Sequence, residues 1–283
     1  ERLRKVIETA LAHNRDLRLA ALNVDRARAY YGIQRAELLP SVNAVGSGAK
    51  ARVPADLSST GSATTTERYD VNLGVAAWEI DFFGRIRSLK DRALEQYLAT
   101  DLARRSAEIM LVSTVAQAYL VLAADREALK LVTSTLEAQE ASYHLIRKRY
   151  DVGIVSGLDL RRAQSQVEMA RRDVARYTQG VAKDENTLNL LVGSPVPPEL
   201  LPADLGGIHP PGAISAGLSS AVLLSRPDIQ AAEHQLKAAN ANIGAARAAF
   251  FPRILLTGSA GTASAELSGL FKSGSGVWSF APQ

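Results

Sequence analysis

A segment near the start of this chain is written again 212 positions later. Asp16, Ala20, Ala27, Ala29, Gly32, Arg35, Ala36, Pro40 and Gly46 recur as Asp228, Ala232, Ala239, Ala241, Gly244, Arg247, Ala248, Pro252 and Gly258, with no gap needed. A period this long marks a repeated structural unit, and missing it mis-assigns the whole fold. The first unit covers residues 1–213, which leaves only 214–283 for the second. A natural protein that continues beyond this stretch is therefore expected.

Within the first unit the hydrophobic period changes in a regular order. Leu3, Val6, Ile7, Ala10 and Leu11 keep the spacing of an amphipathic helix, and Asn14 suits the cap of a second one. Helix is expected over 1–39, ended by Pro40, whose ring and missing N–H cannot continue it. Residues 42–53 suggest a strand, and 54–67 a polar loop. Across 68–78, Tyr69, Val71, Leu73, Val75 and Ala77 alternate with Asp70, Asn72, Gly74, Ala76 and Trp78. One face of that strand is apolar. In water it would cover a core, and in an outer membrane it would face lipid.

A rod follows. Between Arg85 and Tyr150 there is neither proline nor glycine, and Val115, Leu122, Leu129, Leu136, Tyr143 and Tyr150 fall seven residues apart. This is coiled-coil spacing. A helix over 85–150 would be roughly 100 Å long at 1.5 Å per residue. It breaks at Asp151-Val152-Gly153-Ile154-Val155-Ser156-Gly157, and Leu158-Asp159-Leu160 opens a partner helix to about Leu191. Two helices joined by a tight turn make a helical hairpin over 85–191. Residues 195–213, with six of the chain's eleven prolines, form a connector. The second unit then restarts with helix to 251, a strand over 253–263 and another from 276.

Composition removes several function classes. Aromatic residues are 6% of a chain that is 47% hydrophobic, which suits long, close-packed helices. The net charge of +4 comes from 33 basic and 29 acidic residues spread along the chain, with no basic stripe interleaved with aromatics, so nucleic acid is not an expected partner. There is no cysteine for a disulfide or a thiolate metal site. His13, His144, His209 and His234 show no metal-ligand spacing, and no nucleophile has a recognisable base. Gly46-Ser47-Gly48-Ala49-Lys50 lacks the spacing of a phosphate loop. Neither an enzyme nor a cofactor is expected. No apolar run reaches the length of a spanning helix, so any membrane crossing would be by strands.

Three motifs then carry a resemblance. Arg149 to Leu160 followed by Ala163-Gln164, Ala77-Trp78-Glu79-Ile80-Asp81-Phe82-Phe83-Gly84-Arg85, and Ala238 to Pro252 resemble the hairpin, strand-to-helix junction and second-repeat helix of the TolC-type outer-membrane factor family. The likeness is to its OprM-like branch, which serves resistance-nodulation-division drug pumps. It implies a mainly α protomer with membrane β-strands: long coiled-coil hairpins plus transmembrane strands, in two repeats with the second incomplete here. Three protomers would close a twelve-stranded barrel in outer-membrane lipid above a periplasmic helical tunnel, with 195–213 in an equatorial belt. A periplasmic adaptor would seal onto the tip and link the duct to the inner-membrane pump, with small-molecule drugs passing through. A lipid anchor upstream of Glu1 is also implied.

On this sequence, the resemblance places Val152, Gly153, Ile154, Val155, Ser156, Gly157 and Leu158 on the adaptor-docking tip. Arg147, Lys148, Arg149, Arg161 and Arg162 supply charge beside it. Asp159, with Arg149 and Asp151, is a candidate for holding the tip closed, and Tyr69, Val71, Leu73, Val75 and Ala77 are the candidate lipid-facing row. Alternatives are a type I protein-secretion channel of the same fold, or a coiled-coil protein without a membrane. The latter has no use for the alternating strand.

Overall fold

The computed structural model describes residues 1–59, 61–206, 212, 217 and 219–283. Much of the expected connector end (207–211 and 213) and the start of the second unit (214–216 and 218) lie outside the described residues. Two compact units emerge, Glu1–Asn23 with Leu102–Asp228, and Val24–Asp101 with Ile229–Gln283. They do not follow the sequence repeat, because long helices run from one into the other.

The first unit is built on helix ends and a small apolar core. Helix α1 (Arg2–His13) stops at Asn14, whose extended backbone starts α2 (Arg15–Ala36). The Asn14 side chain accepts from the Leu17 N–H at 2.8 Å and donates to the Leu191 carbonyl at 2.8 Å. One residue thus caps α2 and ties it to the end of α4 (Gly157–Val192). Helix α4 ends at Gly193 in the left-handed conformation (φ 80°), and a Cβ there would fall on the His13 carbonyl. Both the turn and the close approach require glycine.

Helix α3 (Arg85–Asp151) is one unbroken element of 67 residues. Its Leu111, Val115, Tyr119 and Leu122 meet Val6 and Ala10 of α1 and Leu188 and Val192 of α4 in the core. Complete burial stabilises each large aliphatic side chain by about 1.5–3 kcal/mol. The heptad row is fully buried at Val115 and Leu122, half-buried at Leu129, Leu136 and Tyr143, and exposed at Tyr150. The most apolar 18-residue window of α3 has mean hydropathy 1.6, so by composition this helix would pass as membrane-crossing. The sequence, judged on uninterrupted runs, showed no such stretch, because polar residues are scattered among those that build the core. Beyond the core, Tyr119 donates to the Leu200 carbonyl at 3.1 Å, and Arg126 bonds the Pro202 carbonyl at 2.7 Å and Glu185 at 2.6 Å. These contacts fix the beginning of the connector.

The second unit is a four-stranded antiparallel sheet in the order β1 (Val42–Val53), β2 (Thr64–Ile80), β3 (Ile254–Ser264), β4 (Gly276–Pro282). Strand β2 begins earlier than its alternation suggested. Pairing with β1 continues to Val53↔Thr64, helped by an ion pair between Lys50 and Glu67. Helix α5 (Pro227–Ala248) packs through an alanine row, Ala231, Ala238, Ala245 and Ala248, all buried. Its polar neighbours meet the first turns of α3: Asn242 accepts from Arg92 at 2.8 Å, and His234 lies 2.5 Å from Glu95.

Candidate docking turn and two-faced sheet

The α3–α4 turn satisfies its own backbone. Gly153 takes the left-handed conformation (φ 76°), its N–H donating to the Tyr150 carbonyl and that of Ile154 to the Arg149 carbonyl, each at 2.9 Å. This is a Schellman ending, which needs a residue without a Cβ penalty at Gly153. Ser156 then opens α4 through a capping box. The Asp159 N–H donates to the Ser156 hydroxyl oxygen at 3.2 Å, and the Ser156 N–H to the Asp159 carboxylate at 3.3 Å. Because both helix ends are closed internally, side chains are free to point outward. Val152, Ile154 and Leu158 are 60–70% exposed, Val155 is half-buried, and open space surrounds Gly153.

Asp159 is committed to Ser156, whose hydroxyl also donates to its carboxylate at 2.6 Å. That side-chain bond, with the Ser156 backbone N–H, holds the Asp159 carboxyl below the usual range. The stability it lends is complete above the unfolded carboxylate value of about 3.9. It is lost as pH falls through the lower folded-state value. In a Ser156→Ala protein we expect faster amide exchange at Asp159, and a carboxyl titration by NMR that moves up toward the unfolded value. An unmoved titration would show that the cap does not set it.

The sheet has two chemically different faces. Pairing sets Val42↔Val75, Ala44↔Leu73, Gly46↔Val71 and Gly48↔Tyr69 side by side, with Leu73↔Ala260↔Trp278 and Val75↔Gly258↔Phe280 continuing across. The glycines agree: a Cβ on Gly48 would meet the Tyr69 ring, and one on Gly258 would meet Phe280. That face is apolar across Val42–Gly48 and Tyr69–Val75, and it turns charged toward the β1–β2 loop, where it carries Lys50, Arg52 and Glu67. The opposite face carries Asn43, Ser47, Arg68, Asp70, Asn72, Thr257, Ser259 and Ser279. Ala77 does not extend the apolar row as expected. A bulge lies between Val75 and Trp78, with Ala77 at φ 51° and its N–H on the Thr257 hydroxyl at 3.1 Å. The extra residue shifts the phase, so that Trp78, expected on the polar face, pairs with Leu256 on the apolar one. A strict period of two could not show this. Sequence also gave no special place to Arg68, which lies beside Asp70, or to Glu79, bonded twice by Arg85 at 2.8 and 2.7 Å. Oppositely charged residues two apart on a strand were the available signal for the first pair.

A family model described as outer membrane efflux protein matches residues 6–194 and 218–283. The chain belongs to the outer membrane efflux protein family. It is 50% identical over 282 residues to the probable efflux pump outer membrane protein TtgC of Pseudomonas putida, covering 99% of this chain and 58% of TtgC. A membrane protein from Pseudomonas aeruginosa of known crystal structure superposes with TM-score 0.93 at 45% identity, covering all of this chain and 64% of that one. The open state of the Neisseria gonorrhoeae MtrE outer membrane channel superposes at 0.87 with 43% identity, covering 62% of its length. The chain thus spans less than two thirds of these relatives. Its mainly helical protomer with antiparallel strands is the TolC-like architecture of the family's solved channels.

Proposed function

We propose that this chain forms part of the outer-membrane exit channel of a tripartite multidrug efflux pump, a passive conduit without catalytic chemistry. The observation that carries the proposal is a sheet with one largely apolar face, one polar face and two edges, β1 and β4, that are unpaired among the described residues. In lipid an open edge leaves backbone groups unsatisfied, so such a sheet crosses only as part of a closed barrel. Three copies, each giving a four-stranded sheet, would supply that closure, with the apolar face to lipid and the polar face to the lumen.

In this proposal residues 1–213 and 214–283 are the first repeat and the start of the second. The uneven treatment of the repeat supports it. Ala231 and Ala245 are buried on α5, whereas their counterparts in α2, Leu19 and Ile33, are 58% and 61% exposed. The long helix of the second repeat would cover them. The exposed turn Val152–Leu158 would dock a periplasmic adaptor that links the channel to an inner-membrane pump.

The full-length protein should be recovered from the outer membrane as a trimer, and its deletion should sensitise cells to small toxic compounds. Recovery as a soluble monomer would end the proposal. Sensitivity unchanged alongside a lost secreted protein would favour a type I secretion channel instead. Ile154→Trp, at an exposed position with ordinary backbone geometry, should leave the trimer intact while reducing resistance to the deletion level, because a bulky group would stand where partner backbone approaches. Full resistance in that variant would remove the docking role of the turn.

A further inference from the structure

We propose that Arg68 and Asp70 form a self-neutralising ion pair that keeps the strand section of the pore wall close to neutral, so that it does not select small ions by charge. The inference rests on the channel proposal above, with the polar face of the sheet turned to the lumen. On that face the charged side chains among the described strand residues are Glu79, at the helix end, and Arg68 and Asp70, toward the β1–β2 loop. Glu79 is held by Arg85. Arg68 grips Asp70 with its Nε at 3.0 Å from both carboxylate oxygens and an Nη2 at 2.9 Å, and the Ser47 hydroxyl of β1 donates to the same carboxylate at 3.4 Å.

The arrangement is layered. The Asp70 side chain is 13% exposed and that of Arg68 72%, so the carboxylate lies beneath the guanidinium. The cross-strand partners of the pair, Ala49 opposite Arg68 and Ser47 and Ala263 opposite Asp70, are neutral and small. No second charge on those rungs offsets a change in either member. The other nearby ion pair, Lys50 with Glu67, lies on the apolar face. With both members present the wall is close to neutral and discriminates weakly between small anions and cations. Remove one, and each chain contributes an unmatched charge to the aqueous lumen, where fixed charge concentrates the opposite ion.

The test is the reversal potential of the full-length protein in planar bilayers under a KCl gradient. Asp70→Asn should shift it toward the chloride equilibrium potential, Arg68→Gln toward that of potassium, and the double substitution should restore the parent value. The shifts should shrink between 0.1 and 1 M salt, as the screening length falls from about 10 to about 3 Å. Normal conductance with no shift in either single variant would overturn this neutralising role and leave the channel standing. Absence of any conductance from both the parent protein and an Asp159→Ala protein, in which the candidate closure of the tip is removed, would overturn both. Should one variant fail to insert, the other still decides by the sign of its shift.

Discussion

Gly261→Val should abolish recovery of the assembled full-length protein from the outer membrane. Gly261 pairs with Asn72 across β2 and β3, and the two backbones approach so closely there that an added Cβ would fall on the Val71 carbonyl and against Asn72. Among the colliding atoms are backbone groups, so no side-chain rotation relieves the overlap. The strands must part. Overpacking in a well-packed site costs about 1–3 kcal/mol and occasionally more, and ladder bonds next to the site would be lost with it. In a membrane those freed groups find no water. Gly276→Ala is the control, because nothing lies within 4 Å of the added carbon. Wild-type yield and thermal stability in Gly261→Val would show that β2 and β3 leave room for a side chain at this rung.

Leu188→Ala should lower stability by about 2–5 kcal/mol, the range for emptying a leucine site in a packed core. Leu188 has no exposed surface and shares its core with Val6 and Ala10 of α1 and Val115, Tyr119 and Leu122 of α3. The loss should appear as a lower melting temperature in detergent and as faster amide exchange in α4 near residue 188. Asn186→Ala, on the exposed side of the same helix, should move stability by no more than about 0.5 kcal/mol. Equal effects from the two would mean that α1 does not close this core.

Features that depend on short range were legible in the chain. The turn around Gly153 and Ser156 is specified by residues within one helical turn of it, and α3 by the absence of proline and glycine from Arg85 to Tyr150. The apolar row Tyr69, Val71, Leu73 and Val75 needed only the pleat. The row failed at Ala77, because a bulge depends on how the neighbouring strand pairs, and β3 lies 174 or more residues later in the chain.

The 212-residue echo determined that the chain is built from a repeated unit, and the changes of hydrophobic period set the order helix, strand, strand, hairpin. Tertiary structure alone decided that the two copies would be used differently. Ala231 and Ala245 are buried, while Leu19 and Ile33 at the same positions of the first copy stand open. A side chain's type and spacing are written locally. Its burial is set by whichever element arrives from elsewhere in the chain, and here the first turns of α3 arrive at α5. The same distinction separates Gly261, which looks in sequence like an ordinary small residue, and Gly193, which reads only as the end of a helix, from the backbone contacts that make each of them necessary.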